Sequence, residues 1–220
     1  MTKDMIAMNA PAQTPFTFER AKQEFRSAWN DRNYTRFELP PVDVNSVLRE
    51  RYTVEPAGSA MTLTQLWDME TKKAWDPATY IPYVVSRGRS WGRHALEEGC
   101  ERFFRISEQA AWIDSSRGEV IEDVSISHNE RRIFFLGLPR IVDDRGETIR
   151  AGDFQPLFHV EHAAEGSEER PLNIWRIVVL TEGEDDRFKR PFEQMIAAGY
   201  LPGFVEEYLR RDMGVRIERR

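Results

Sequence analysis

The sequence predicts an α+β fold: a curved, mainly antiparallel sheet wrapped around N-terminal helices to form a cone, followed by a C-terminal helical extension. Up to about residue 112, apolar residues recur at the spacing of amphipathic helices. From about residue 119, runs of β-branched and aromatic residues are broken by turn sequences, which is typical of hairpin-connected strands. Helices segregated from strands in this way indicate helices packed against one antiparallel sheet.

The N-terminal part contains the predicted helices. Thr17 is a suitable N-cap for a helix over 18–31, and a short helix is expected around 43–51 inside a proline-rich connection. The next helix ends near Pro77 and carries on one side Leu63, Leu66, Trp67, Glu70 and Ala74. A third long helix is predicted to begin at Ser90 and to cover "SWGRHALEEGCERFFRISEQAAWI".

Four strands follow: "EVIEDVSISHN", "RRIFFLGLPRIVDD", "FQPLFHVEHAA" and "LNIWRIVVLTE". The turn sequences "DDRG" at 143–146 and "EGSEERP" at 165–171 predict antiparallel hairpins between the later strands. Beyond about residue 188, the tail is expected to form two short helices separated by Pro202 and Gly203.

Composition and charge limit the class of protein. With 220 residues, 40% hydrophobic, the chain can bury a substantial core, and we expect a flexible leader over 1–14 and one domain over 15–220. The net charge of −6 comes from interspersed acids and bases, which argues against a nucleic-acid partner. The leader has no signal-peptide pattern, and no apolar run approaches the roughly 20 residues that span a bilayer. We therefore predict a cytoplasmic protein without a membrane partner.

The stretch "FQPLFHVEHAAEG", residues 154–166, interleaves ionisable with apolar side chains. As a strand, it places His159 and Glu161 on one face and Phe158, Val160 and His162 on the other. If the first face lines the cone, Glu161 can orient His159, and the two can act as acid and base. If that face is the outer, wet side, His162 points inward instead. One of the two histidines is therefore expected in the cavity whichever way the sheet is turned.

The same stretch does not predict a metal site, because on a strand His159 and His162 project to opposite faces whereas metal ligands converge. Cys100 is the single cysteine, which excludes an intrachain disulfide and a multi-cysteine metal site. The sequence contains neither "GxxxxGK" nor a helix-opening "GxGxxG" after a strand. We expect an activity without metal, nucleotide or other cofactor.

Further candidate residues lie on the helices and the connection before the sheet. Glu70 is on an apolar helix face, where desolvation would raise the pKa of its carboxyl and suit it to acid–base catalysis; alternatively, it pairs with Lys72 or Lys73 at the edge of that face. Tyr80 is a possible catalytic phenol. The side chains expected to bind or orient a substrate are Arg93, Tyr83, Trp67, Phe103, Trp175 and His162.

The order of elements resembles the nuclear transport factor two-like superfamily. The resemblance covers roughly residues 15–182 and rests on "LWDMETKKAWDPATYIPYVV" before the sheet and on "FQPLFHVEHAAEG" and "LNIWRIVVLTE" at its end. The superfamily includes scytalone dehydratase-type, ketosteroid isomerase-type and polyketide cyclase-type enzymes. In length and aromatic-rich segments, the chain is most similar to the cofactor-independent lyases of sphingomonad lignin catabolism, which release formaldehyde from diarylpropane or phenylcoumaran compounds.

The resemblance implies a cofactor-independent lyase that dehydrates or deformylates a small aromatic substrate, with His159, Glu70, Glu161 and Tyr80 as catalytic candidates. Two alternatives stay open: an isomerase or cyclase in the same cavity, and a non-catalytic subunit similar to the β subunit of an aromatic-ring dioxygenase. A homodimer or larger oligomer is also expected, because both faces of "LNIWRIVVL" are apolar and the face outside the cone needs a cover, which a partner subunit or the C-terminal helices would supply.

Overall fold

A computed structural model of the chain describes residues 16–220, so the predicted leader lies outside the described residues. The helices are α1 (Phe18–Asn30), α2 (Val44–Arg51), α3 (Leu63–Trp75), α4 (Pro77–Tyr80), α5 (Arg190–Ala198) and α6 (Gly203–Arg211), with a 3-10 turn at Asp186–Phe188. The strands are β1 (Thr35–Glu38), β2 (Val42–Asp43), β3 (Tyr52–Glu55), β4 (Val85–Ala95), β5 (Cys100–Ala110), β6 (Arg117–Ser127), β7 (Arg132–Gly137), β8 (Arg140–Val142), β9 (Thr148–Arg150), β10 (Phe158–Gly166), β11 (Pro171–Val179) and β12 (Arg216–Arg219). Within this range, no helix has the length and apolarity needed to cross a membrane.

Eight strands form one curved antiparallel sheet. Their order is β1, β11, β10, β7, β6, β5 and β4, and β2 also pairs with β11. The edge strand β4 has register shifts between Val85 and Arg87 and between Trp91 and His94, and irregularities of this kind increase the local twist of a strand. The predicted α+β class, with helices before and after a curved antiparallel sheet, is confirmed.

The third predicted long helix is wrong: residues 85–110 form the hairpin of β4 and β5. The inward face of β5 explains the error, since its buried residues are Phe103, Arg105, Ser107 and Gln109. A strand that buries polar side chains does not show the apolar alternation by which strands are recognised in a sequence. The hairpin of β4 and β5 therefore begins more than thirty residues before the predicted first strand at 119, and β1 and β2 of the same sheet lie earlier still.

Helices cover both faces of the sheet. On one face, α3 packs near β10 and β11, and a core cluster runs from Phe103 and Val124 through Phe135 to Val160 and Ile177. On the opposite face, α1 packs through a second cluster that contains Phe18, Phe25, Phe134, Leu136 and Val178. Of the predicted N-terminal helices, α3 lies on the concave face of the sheet, whereas α1 packs on the opposite face.

Local sequence signals fix where the helices begin. Thr17 caps α1 as predicted, with its hydroxyl accepting a hydrogen bond from Arg20 N at 3.2 Å. Thr62 and Gln65 form a reciprocal capping box at the start of α3, so that two of the helix's unpaired backbone N–H groups are satisfied. This box fixes the phase of α3 and directs Leu66, Glu70 and Lys73 toward the interior.

The C-terminal segment closes the structure. The two predicted short helices are present as α5 and α6, and Pro202 and Gly203 lie at the start of α6. After α6, β12 pairs with β3 and holds the C-terminus against the N-terminal half of the chain. Helix α5 contains no buried residue, although Phe192 and Met195 lie on its inner side against the core.

Candidate functional site

A cavity of about 770 Å³ lies between the sheet, α3, α5 and α6. Aromatic side chains form much of its wall: Tyr83, Trp112, Phe135, Phe158, Trp175, Phe192, Tyr200 and Phe204. At the deep end lie the buried polar side chains of Lys73, Arg105, Gln109, Glu122 and His162. A volume of this size with apolar walls and a few grouped polar residues is typical of a small-molecule site.

Glu70, Lys73, His162 and Asn173 form a connected cluster at the deep end. Glu70 Oε2 lies 2.5 Å from Lys73 Nζ and 2.9 Å from His162 Nδ1. Its other oxygen accepts a hydrogen bond from Asn173 Nδ2 at 2.7 Å. Lys73 Nζ is also 2.5 Å from His162 Nδ1. The four residues are all buried, so water does not screen these contacts.

Secondary structure brings these residues together. Glu70 and Lys73 are one turn apart on α3 and therefore share a helix face. His162 on β10 is directly opposite Trp175 on β11, and Asn173 lies two residues before Trp175 on the same face. The packing of α3 against these two strands then places the helix pair over the strand pair.

The cluster shifts the pKa values of its members. Burial alone would raise the pKa of Glu70, but the Lys73 ammonium and the His162 ring outweigh it and lower this pKa to about 2. Burial lowers the pKa of Lys73 to about 8 despite the attraction of Glu70. Burial, reinforced by the Lys73 charge, lowers the pKa of His162 to about 4. The expected upward shift of the Glu70 pKa is therefore wrong, and at neutral pH the cluster holds a carboxylate, an ammonium and a neutral imidazole.

Nδ1 of His162 contacts both the Lys73 ammonium, which is a donor, and Glu70 Oε2, which is an acceptor. In the tautomer that accepts from Lys73, the ring proton is on Nε2. Among residues 16–220, Nε2 has no hydrogen-bond partner, and His162 lines the cavity. The imidazole stacks on Trp175 with ring centroids 4.7 Å apart and meets Phe135 edge-on at 5.4 Å, so the ring is held in one orientation.

Arg105 and Glu122 form a second polar pair at the deep end. Arg105 Nε donates to Glu122 Oε2 at 2.5 Å, and another guanidinium nitrogen donates to the carbonyl oxygen of Ala74 at 3.0 Å. The guanidinium also lies 4.4 Å from the centroid of the Phe135 ring. Two cations and two carboxylates therefore balance one another at this end of the cavity, which suits a neutral ligand.

The opposite end of the cavity reaches the surface. Tyr83 is 55% exposed there, and its ring lies against Gly203, where an added Cβ would be 2.5 Å from a ring carbon. Glu206 is buried beside this entrance, where it accepts hydrogen bonds from Tyr52 Oη at 2.5 Å and Arg219 Nε at 2.8 Å. Burial and the Glu206 contact raise the pKa of Tyr52.

The structure places His159 and Glu161 outside the cavity. Both are on the face of β10 that packs near α1, where His159 Nδ1 accepts a hydrogen bond from Gly137 N at 3.0 Å. Glu161 forms ion pairs with Arg132 and Arg176. The orientation that directed this pair into the cone is wrong, and the alternative holds: Phe158, Val160 and His162 face the cavity. Side-chain alternation defines two faces but does not say which one a helix or a cavity will cover.

Other predicted residues also lie away from the cavity. Tyr80 donates to Asp212 Oδ2 at 3.0 Å, and burial together with this contact raises the pKa of its phenol to about 12. Arg93 is on β4 and pairs with Glu101 at 2.6 Å. Trp67 donates to His128 Nδ1 at 3.2 Å, and Phe103 packs edge-on against Trp75. Of the ten candidates, His162, Trp175 and Tyr83 line the cavity, and Glu70 contacts His162 from behind it.

Sequence reasoning missed Asn173, Arg105 and Glu122, and named Lys73 only as a possible partner of Glu70. The pairing with Lys73 is observed, although in the core and not at the edge of the helix face. One signal in the sequence could have indicated this pair. Glu70 and Lys73 are one turn apart on a helix whose other buried residues are leucine, methionine and alanine. Within residues 16–220, no group of three or more His, Cys, Asp or Glu side chains has the arrangement of a metal site.

The fold and the site together define an α+β protein whose curved antiparallel sheet encloses an aromatic-lined cavity with a buried acid–base cluster. No protein-family model matches the chain, and no curated protein sequence matches it. The chain is similar in structure to the di-domain ARO/CYC StfQ from the steffimycin biosynthetic pathway, with a TM-score of 0.42 and 11% sequence identity. The match covers 86% of this chain and 52% of StfQ, so the chain spans about half the length of that protein. This similarity is too remote to bear on activity.

Proposed function

We propose that the chain is a cofactor-independent lyase that acts on a small, neutral aromatic substrate in the cavity by general acid–base catalysis. The observation that carries this proposal is the cluster of Glu70, Lys73 and His162 at the deep end of an aromatic-lined cavity. The order of helices and curved antiparallel sheet supports a place in the nuclear transport factor two-like superfamily. Aromatic walls and balanced charges favour an uncharged aromatic ligand.

His162 is the residue that exchanges protons with the substrate. As its Nε2–H proton moves to a departing hydroxyl, the Lys73 ammonium delivers a proton to Nδ1, 2.5 Å away. The imidazole stays neutral throughout, and the positive charge is lost from Lys73. An acid with a pKa of about 8 is well matched to proton donation near neutral pH. Glu70 holds Lys73 in position through their ion pair, and its carboxylate accepts a hydrogen bond from Nδ1 once that atom carries the proton.

The same relay can then act as the base. After donation, Nε2 carries a lone pair and Nδ1 carries the proton, so Nε2 can remove a proton from the substrate while Nδ1 returns one to Lys73. Removal from a carbon next to a benzylic cation yields an alkene and completes a dehydration. Removal from the hydroxyl of a neighbouring hydroxymethyl group yields the alkene and formaldehyde. Both routes balance without a redox step, which supports independence from a cofactor.

The cavity offers a further group to orient such a substrate. Trp175 lines the wall beside His162, and its Nε1–H is buried without a hydrogen-bond partner among residues 16–220. Buried donors are normally satisfied, so a substrate oxygen would complete this site.

The proposal is tested by incubating the purified chain with a panel of diarylpropane and phenolic substrates and measuring product masses. We expect a product lighter by water alone or by water and formaldehyde together. A product of unchanged mass would contradict the lyase in favour of an isomerase or cyclase, and saturable binding without any product would contradict catalysis and favour a binding subunit.

Two histidines on one strand provide a matched pair of variants. His162→Gln should lower kcat by about two to four orders of magnitude, the usual effect of losing an acid–base group. His159→Gln should leave kcat within about threefold, because His159 lies on the opposite face of the sheet. Circular dichroism of both variants shows whether the fold is retained. Equal losses in the two variants, or a loss only in His159→Gln, would contradict the assignment.

A further inference from the structure

The amine of Lys73 has an unusual environment for a lysine. Its side chain is 4% exposed and lines the cavity, and its polar contacts within residues 16–220 are Glu70 and His162. The amine also lies over the ring of Phe204, with Nζ 3.8 Å from the ring centroid. The neighbouring Lys72 is 42% exposed and pairs with Asp68 and Asp212. Of these two adjacent lysines, Lys73 lines the aromatic cavity and Lys72 does not.

This environment favours a nucleophilic amine. Desolvation lowers the pKa of Lys73 to about 8, so about a tenth of its amines are neutral at pH 7, roughly three hundredfold more than for an ordinary lysine. The hydrogen bonds that Lys72 donates to Asp212 and Asp68 raise the pKa of Lys72 and keep that amine protonated. When Lys73 is neutral, it can donate its two N–H groups to Glu70 and His162. The nitrogen lone pair is then left for a third direction, on the side of Phe204 and the cavity.

We propose that the Lys73 amine forms an imine with an aromatic aldehyde or ketone bound in the cavity. Nζ adds to the carbonyl carbon, and as the resulting alkoxide takes the Nε2 proton of His162, the new ammonium gives one of its protons to Nδ1, which yields a neutral carbinolamine. Proton exchange with water restores the Nε2–H, and the same transfer then carries the second proton from nitrogen to the hydroxyl, which leaves as water as the C=N bond forms. The carbonyl oxygen leaves as water, and no oxidant or reductant is consumed.

The imine goes beyond the proposed lyase activity, which requires no covalent bond to the enzyme. The two chemistries use different states of the same side chain, since the proton relay starts from the ammonium and the addition starts from the neutral amine. Carbonyl compounds with an aromatic ring fit the cavity because Trp175, Phe135 and Phe204 surround its deep end. An apolar wall also disfavours hydrolysis of the imine, since it limits access of water.

The test is reductive trapping at pH 8 with benzaldehyde as the probe and sodium borohydride as the reductant, followed by intact-mass measurement and peptide mapping. The chain has five lysines, Lys3, Lys22, Lys72, Lys73 and Lys189, so the modified position is readily assigned. We expect one adduct, on Lys73, heavier than the free chain by the mass of benzaldehyde less one oxygen atom. Modification spread over the exposed lysines, or none at Lys73, would overturn the proposal.

Two variants sharpen this test. Lys73→Arg keeps a positive charge beside Glu70 but has no amine nucleophile, so the adduct should be lost. Lys72→Arg is the matched control and should be labelled as the wild type is. If Lys73→Arg does not fold, the wild-type peptide map decides alone. Because labelling is measured by mass and not by turnover, loss of the adduct and loss of lyase activity are separate results.

Discussion

At the level of single residues, Lys73 and His162 give the proposed relay a defined pH range. The relay starts from an ammonium at Lys73 and a neutral imidazole at His162. Burial lowers the pKa of His162 to about 4, so the imidazole becomes neutral as pH rises through that value. Burial lowers the pKa of Lys73 to about 8, so the ammonium is lost as pH rises further. We therefore expect kcat/KM to follow a bell-shaped curve with apparent pKa values near 4 and 8, both belonging to the coupled cluster.

The curve is measured by initial rates between pH 3 and 10 in buffers of constant ionic strength. Lys72→Arg serves as the control and should retain both limbs, because Lys72 pairs with exposed carboxylates outside the cluster. A rate that continues to rise well above pH 8 would show that the neutral form of Lys73 is the active one and would contradict the relay.

The buried pair of Glu70 and Lys73 also makes a prediction about stability. Removing one partner leaves the other charge without compensation in the core, so Lys73→Met should lower the free energy of unfolding by about 3–5 kcal/mol. The double variant Glu70→Gln/Lys73→Met removes both charges and should cost less than the sum of the two single variants. Urea unfolding of the four proteins measures this difference.

The control is Lys72→Met, whose partners are partly exposed and whose loss should cost no more than about 1 kcal/mol. Additive effects of Glu70→Gln and Lys73→Met would mean that the two side chains do not interact, contrary to their 2.5 Å contact.

At the level of elements, α5 is the part of the wall that depends most on what fills the cavity. It contains no buried residue, and its inner side presents Phe192 and Met195 to the cavity. A bound aromatic molecule would cover this side and add apolar contact. We expect hydrogen exchange of the backbone amides of 190–198 to slow on ligand binding, while the amides of α1, behind the sheet, stay unchanged. Equal slowing in both helices, or none in α5, would contradict this role.

The elements also show how far the sequence allows prediction. Helices with apolar faces and caps, such as α1 and α3, and strands rich in β-branched residues, such as β6 and β11, were recognisable from local pattern. Strand β5 was not, because Arg105, Ser107 and Gln109 are on its buried face. The polarity of that face follows from the cavity and from the Arg105–Glu122 pair, which depend on contacts between residues distant in the chain.

The candidate site was predictable only as far as local pattern defines it, because the rest depends on how distant segments pack. Alternation on β10 showed that one of His159 and His162 would face inward, and the helical pattern placed Glu70 in the interior. Which histidine faces the cavity depends on where α1 packs, and α1 is more than a hundred residues away in sequence. The pKa of Glu70 depends on Lys73 and His162 together, and this arrangement exists only after α3 has packed on the sheet.

At the level of the whole molecule, the two covered faces of the sheet bear on assembly. The apolar faces of β11 were the reason to expect a homodimer, yet Val178 on the outer face packs with Phe25 of α1 in the same chain. Helix α1 therefore supplies the cover that was expected from a partner subunit or from the C-terminal helices. An oligomer stays a prediction, but it now needs a surface other than this face.

Strand β4 limits the growth of the sheet. It forms one edge of the sheet and is interrupted by two register shifts, and it carries the exposed Arg87 and Arg93 and the half-buried Arg89. These arginines form ion pairs with carboxylates on neighbouring segments, so the charges are held along the edge. An irregular, charged edge is a poor template for a strand from another copy. The shape of β4 that helps to curve the sheet therefore also protects this edge against pairing with another copy.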